Sequence, residues 1–275
     1  MSQGATAGRR GDGSTVRDRL WLWGHDAGAH NDGWGLPGPS RITPAEAAFY
    51  LGIPNLIMVR YQGRPRLPLD QFAVPLQALR RVVWSAVGAH GQSDEEERAH
   101  VLNLAGRHAN VTGVMLDDFF VDKPRPGQEA AALSLDKLRE LHGGLAAGGR
   151  RLDLWTVLYE HQLDPRLAPF LELLDVVSLW TWDAEKVQNI RSSLGQLEAL
   201  APSCGKVLGC SMWNYGRNSP MPVAILKDLY GLGLDWLRQG RIQGMIFLAS
   251  CICDLQLEAV EWTRKWVAKI GDEPI

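Results

Sequence analysis

Val111-Thr-Gly-Val-Met-Leu-Asp-Asp-Phe-Phe120 runs from a short apolar segment, Val114-Met-Leu116, straight into two adjacent carboxylates, Asp117 and Asp118, and then into two aromatics. A brief apolar run closed by an abrupt polar break reads as a parallel strand buried on both faces. Two acids at its carboxyl end do nothing for stability, because each needs hydrogen bonds or charge partners if it is buried. In barrel enzymes that end of a strand carries the chemistry. The bland alternative is that both acids are solvated or cap the following helix.

The same unit recurs on either side. Strand-like runs are expected at residues 19–24, 55–59, 81–87, 151–158, 175–181, 206–212 and 242–249. Helical stretches are expected at about 43–51, 69–80, from 93 on, 129–147, 165–173, 184–200, 221–238 and 255–269. The first helix is the best marked. Thr43 stands as N-cap, Pro44 at the first helical position, Glu46 completes a capping box and Gly52 ends the helix. Strict alternation of strand and helix implies an α/β fold with a parallel sheet. Eight such units predict a single (β/α)8 TIM barrel over residues 19–271, with a disordered tail at 1–18 and a short C-terminal tail at 272–275. The alternative for the same alternation is an open, doubly wound sheet.

Composition narrows the function. The chain has 275 residues, a formal net charge of -2 and 45% hydrophobic residues, which suits one barrel of about 250 residues. There is no basic footprint for nucleic acid and no phosphate-binding glycine motif. No apolar run reaches the roughly 18–20 residues a membrane span needs. Residues 1–18 lack the apolar centre of a secretory signal. Cys204, Cys210, Cys251 and Cys253 form no disulfide framework and no zinc pattern. The expectation is a cytoplasmic protein with reduced thiols, no metal and no cofactor. The oligomeric state is not legible.

The strand ends carry the functional signal. They present His25 and Asp26, Arg60 and Tyr61, His90, Asp117 and Asp118, Glu160 and His161, Trp182 and Asp183, Trp213 with Asn214 and Tyr215, and Asp254. The amino ends offer Arg19, Arg81, Arg151, Asp175 and Lys206, which read as surface charges. Groups that donate, accept or titrate therefore converge on one mouth. Eleven tryptophans are unusual, and several lie on strands or at their ends. Trp155 and Trp180 are expected to fill the barrel, and Trp182 and Trp213 to stack on the apolar faces of sugar rings. Trp236, Trp262 and Trp266 fall on helices and read as packing.

Glycosidic cleavage needs one carboxyl to protonate the leaving oxygen and a second group to attack or to activate water. Crowding carboxylates in a dry pocket raises one pKa and supplies the proton. Asp117 or Asp118, with Asp183 or Glu160, are the candidates. His25, Asp26, Arg60, Tyr61, His90, Trp182, Trp213, Asn214, Tyr215 and Asp254 are the expected contacts to a carbohydrate substrate. Neighbours on an extended strand point to opposite faces, so Asp117 and Asp118 can share the mouth only if the backbone bends between them.

The layout resembles a (β/α)8-barrel glycoside hydrolase over nearly the whole chain. Leu116-Asp117-Asp118-Phe119 is similar to the paired aspartates after the fourth strand of substrate-assisted β-N-acetylglucosaminidases. That likeness implies that Asp117 orients the acetamido group and Asp118 donates the proton. The chain is also similar to retaining α-glycosidases with a nucleophile after strand four and an acid/base after strand six. That likeness implies Asp117 or Asp118 as nucleophile and Asp183 as acid. The commonest retaining barrels carry a glutamate after strand seven, where this chain has Asn214. Two other functions fit the same residues: a metal-dependent hydrolase or lyase built on His25, Asp26, Asp117 and His161, and a sugar-binding barrel without catalysis.

Overall fold

The computed structural model describes residues 14–87, 95–122, 124 and 128–275. Eight parallel strands close into a barrel. They are β1 (Leu20–Gly24), β2 (Asn55–Met58), β3 (Arg81–Val87), β4 (Val111–Leu116), β5 (Asp153–Tyr159), β6 (Val176–Trp180), β7 (Gly205–Ser211) and β8 (Gly244–Leu248). Each strand pairs with its neighbours in sequence, and β8 closes onto β1 with Leu20 opposite Met245 and Trp23 opposite Leu248. Closure rules out the open sheet. The helices are α1 (Pro44–Leu51), α2 (Asp70–Ala73), α3 (Glu95–Arg107), α4 (Leu135–Gly144), α5 (Ala168–Leu171), α6 (Ile190–Leu200), α7 (Val223–Arg238) and α8 (Glu258–Ile270). Among the described residues no helix is long and apolar enough to cross a membrane. All four cysteines are buried and unpaired.

Where helices depart from expectation, the cause is local. Pro75 removes a backbone donor, so the helix expected over 69–80 splits into α2 and a 3-10 turn at Pro75–Ala78. The stretch expected as a helix from 129 begins as a clasp instead. Ala132 N–H donates to Phe119 O (2.8 Å) and Val121 N–H to Ala130 O (3.0 Å) before α4 starts behind its Ser134 cap. At the chain start Val16 is fully buried in a 3-10 turn, Thr15 bridges Pro274, and Ile275 N–H donates to Ser14 O. Residues 14–18, expected as part of the tail, are thus clasped to the C-terminal residues.

Two apolar shells hold the barrel. The larger lies between strands and helices; the smaller fills the interior and includes Trp21, Trp23, Trp155 and Trp180. Indoles fit inside because facing positions carry no side chain. A Cβ on Gly209 would fall 2.1 Å from the Trp180 ring, and one on Gly113 would fall 3.2 Å from Trp155 Nε1. The amino-terminal charges are not all surface charges. The Arg81 guanidinium stacks 4.6 Å over Trp21 and donates to Asn55 Oδ1. Lys206 is buried, and its Nζ donates to Ala201 O (2.6 Å) and Cys204 O (2.7 Å). Both close the floor of the barrel, away from the mouth.

Candidate active site

The β4 ladder continues one residue past its strand, where Asp117 N–H donates to Val87 O at 2.9 Å. Asp118 then adopts a left-handed φ of 45°. That turn breaks the alternation of an extended strand, and both carboxyl side chains face one pocket. Aspartate tolerates this conformation better than most residues, for which it costs about 1–2 kcal/mol. Phe119 and Phe120 anchor the turn from below. Their rings lie 5.0 Å apart, and each is 6.3 Å from Phe170.

The mouth has two connected lobes. The deep lobe, about 100 Å³, has the Asp117–Asp118 pair in one wall and rings over most of the rest. The outer lobe, about 670 Å³, opens beyond it and reaches Asp122, His161, Asp183 and Lys186. Trp34, Asp118, Tyr159 and Trp182 line both, so they form the throat between the two.

The pocket rings are locked by hydrogen bonds. Trp23 Nε1–H donates to His25 Nε2 at 3.1 Å. An indole can only donate, so Nε2 is unprotonated and Nδ1–H faces Val59 O at 3.3 Å. Burial pushes the His25 imidazolium down to about 4, against the opposing pull of the Val59 carbonyl. His30 is pushed to about 2 by burial and then by its neighbour His25, and its Nδ1 lies 3.3 Å from Tyr215 Oη. Both imidazoles are therefore neutral near pH 7. Burial, then the charge of Asp118, raises Asp117 well above the usual carboxylate range, while its bond from Asp118 N–H (3.0 Å) opposes the rise. Burial, then Asp118 and Asp117, likewise holds the Tyr159 phenol protonated, and it donates to Asp118 Oδ1 at 3.1 Å.

Of the residues read from the sequence, His25, Tyr61, Asp117, Asp118, Trp182 and Tyr215 line the deep lobe, and Asp183 lines the outer one. Glu160 lines neither. It opens the 3-10 turn Glu160–Gln162, which carries its nearly buried side chain off the strand line to an ion pair with the exposed Lys186 Nζ at 3.2 Å. Asp26, Arg60, Trp213, Asn214 and Asp254 stand at strand ends but line neither lobe. Asp26 pairs with Arg64, and Arg60 pairs with the buried Glu97. Trp213 Nε1–H holds Trp34 O at 2.8 Å, Asn214 is buried in a short ribbon with Ser219, and Asp254 accepts from the N–H groups of Arg41 and Ile42. These groups secure the loops that shape the mouth. His90 lies outside the described residues.

The residues missed by sequence reasoning are Trp23, His30, Trp34, Tyr159 and Trp180. Trp180, expected as filler, forms part of the pocket wall, whereas Trp155 packs deeper against Trp21. His30 and Trp34 arrive on the long loop between β1 and α1, which no periodicity places. Tyr159 carried a signal, as the last residue of β5 directly before the polar pair that was singled out. Among the described residues, no group of three or more His, Cys, Asp and Glu side chains is close enough to hold a metal ion. Of the set considered for a metal, Asp26 is paired with Arg64 and His161 with Asp122.

No protein-family model matches the chain, and no curated protein does. Solved structures do. A xylanase-A-amylase inhibitor protein superposes with a TM-score of 0.55 at 12% identity, covering 94% of this chain and 99% of that one. A family GH18 chitinase from Cycas revoluta, in complex with allosamidin, gives 0.53 at 12% identity, covering 92% and 99%. The tryptophan synthase α-subunit of Pyrococcus furiosus gives 0.52 at 13% identity, covering 93% and 98%. At such identities the likeness is one of fold: a (β/α)8 barrel that glycoside hydrolases share with proteins of other kinds.

Proposed function

We propose that this protein is a glycoside hydrolase that cleaves the bond to one terminal sugar, using Asp117 and Asp118 as a coupled pair. The observation that carries the reading is the left-handed turn at Asp118, which brings two consecutive carboxyls into one aromatic-walled pocket. Indole and phenol faces suit the C–H faces of a sugar ring, and neutral imidazoles suit its hydroxyls.

Among the described residues lining the deep lobe, the pair is the sole source of carboxyl groups. None of the described residues places an acid across from it to act as a separate nucleophile, which favours a substrate that supplies its own, such as a 2-acetamido sugar. Burial and the neighbouring charge of Asp118 favour keeping a proton on the pair. In the empty pocket burial favours Asp117 as its holder. An acetamido N–H is held more strongly by an ionised Asp117 than by a protonated one, so binding favours moving the proton to Asp118. Asp118 lines the throat, where the leaving oxygen would sit. The Tyr159 hydroxyl can accept as well as donate, so it accommodates Asp118 in both states.

The experiment is turnover of β-N-acetylglucosaminides with graded leaving groups. Asp118→Asn should lose poor leaving groups far more than activated aryl ones, and Asp117→Asn should lose both. Full activity in both variants would refute the assignment. The same absence of an opposing carboxylate favours a second reading, a sugar-binding barrel without catalysis. That reading predicts saturable sugar binding with no turnover of any glycoside.

A further inference from the structure

The outer lobe has a floor, a rim and a charge of its own. Tyr159 and His161 both line it and stack on one another at 5.6 Å with their planes 14° apart. At one edge Asp122 Oδ1 accepts from Gln162 Nε2 (2.6 Å) and lies 3.1 Å from His161 Nε2, which fixes the outer ring of that stack. At another edge Lys186 Nζ lies 3.2 Å from Glu160 Oε1 and 3.5 Å from Asp183 Oδ2. Its ammonium is thus shared between two carboxylates. Among the described residues Asp122 and Asp183 line the lobe against Lys186, besides Asp118, which carries the proton once a sugar is bound. At about 670 Å³ this lobe is much the roomier of the two.

We infer that the outer lobe is a second sugar subsite, so that the substrate is an oligosaccharide bound across the Asp117–Asp118 pair, and that its second sugar carries no negative charge. This rests on the deep lobe holding a terminal sugar. A ring face of that stack takes the apolar face of a pyranose, and the Asp122 and Asp183–Lys186 edges take its hydroxyls. A carboxylate on that second ring would meet an excess of like charge in a partly enclosed site, where Coulomb repulsion is less screened than in open water.

The test is calorimetric titration of the full chain carrying Asp118→Asn, which removes turnover from the measurement. The probes are N-acetylglucosamine, N,N′-diacetylchitobiose and N-acetylglucosaminyl-β-1,4-glucuronic acid. The neutral disaccharide should bind at least tenfold more tightly than the monosaccharide, and the glucuronate should lose most of that gain. Adding His161→Ala should lower the disaccharide-to-monosaccharide ratio severalfold, and adding Asp183→Asn should restore part of the affinity for the glucuronate. Equal affinity for the monosaccharide and the neutral disaccharide overturns the subsite, even if the unsubstituted protein turns over an aryl glycoside. A preference for the glucuronate overturns the charge assignment. Length-dependent binding without any turnover by the unsubstituted protein would overturn the hydrolase reading and leave the subsite standing.

Discussion

The phenolic oxygen of Tyr159 stands 3.1 Å from Asp118 Oδ1 and ties the end of β5 to the turn that follows β4. The contact crosses 41 residues of sequence, and its donor stays protonated because burial and two nearby carboxylates oppose ionisation of the phenol. Asp118 sits on a left-handed turn, and Tyr159 fixes where its carboxyl group points.

Tyr159→Phe therefore keeps the ring, with its stack on His161 and its edge contact to Trp182, and removes one hydrogen bond. A hydrogen bond to a charged acceptor contributes about 1.5–3 kcal/mol. If it acts at the transition state, kcat should fall roughly tenfold to a hundredfold. Circular dichroism should be unchanged. A variant with full kcat would show that Asp118 needs no such support.

Asp117 makes a pH-dependent prediction. Its pKa is raised in the folded state, so the native protein holds that proton more tightly than the unfolded chain does. Stability is fully present below the ordinary carboxylate value of 3.8 and is lost as pH rises from there through the raised folded pKa. Asp117→Asn cannot ionise, and its side-chain oxygen can still accept from Asp118 N–H. The variant should melt above the wild type at pH 7–8, and the gap should close as pH falls below about 4. A constant gap across that range would show that Asp117 is not held protonated.

How far the sequence reveals this molecule depends on the kind of feature. The barrel is legible because its strands are apolar runs at regular spacing, and parallel strands buried on both faces leave that mark. The position of Asp117 and Asp118 is legible for the same reason: an acid just past such a run must stand at the strand's carboxyl end. The turn at Asp118 leaves no mark, since aspartate also occurs in extended backbone. Being at the right end of a strand also does not separate a pocket group from a latch. Asp254 and Asp26 sit where ligand contacts would be, yet their oxygens hold Arg41, Ile42 and Arg64. His30 and Trp34 travel on an irregular loop whose path is set by contacts such as Trp213 Nε1–H to Trp34 O.

The turn at Asp118 can be tested apart from its chemistry. Asparagine accepts left-handed backbone nearly as readily as aspartate, whereas alanine does not. Asp118→Asn should unfold within a few tenths of a kcal/mol of the wild type, and Asp118→Ala about 1–2 kcal/mol below it. Denaturant titration separates the two. Both should lose turnover of poor leaving groups by about 10²–10⁴-fold, the usual contribution of a proton donor. Equal stability of the two would argue that the backbone there is extended.

The floor of the pocket depends on a residue with no side chain. Gly209 on β7 lies beside Trp180 on β6, and an added Cβ would fall 2.1 Å from the ring, with a second ring atom at 2.2 Å. An indole cannot bend away from such a contact; it has to move as a body. Trp180 is held by its Nε1–H bond to Ser178 Oγ at 2.8 Å and packs edge-on against Trp23 at 5.5 Å. Any movement is thus passed on through Trp23 to His25, whose Nε2 accepts from that same indole. Gly209→Ala should cost at least about 1–3 kcal/mol, the usual range for overpacking a core. It should also weaken sugar binding in the deep lobe, although residue 209 touches no ligand. The comparison is Gly195→Ala on α6, where an added Cβ meets nothing within 4 Å. That variant should equal or exceed the wild type in stability, because alanine favours the helix by about 1 kcal/mol. If Gly209→Ala bound sugar normally while losing stability, the tryptophan floor would be packing alone and would play no part in shaping the pocket.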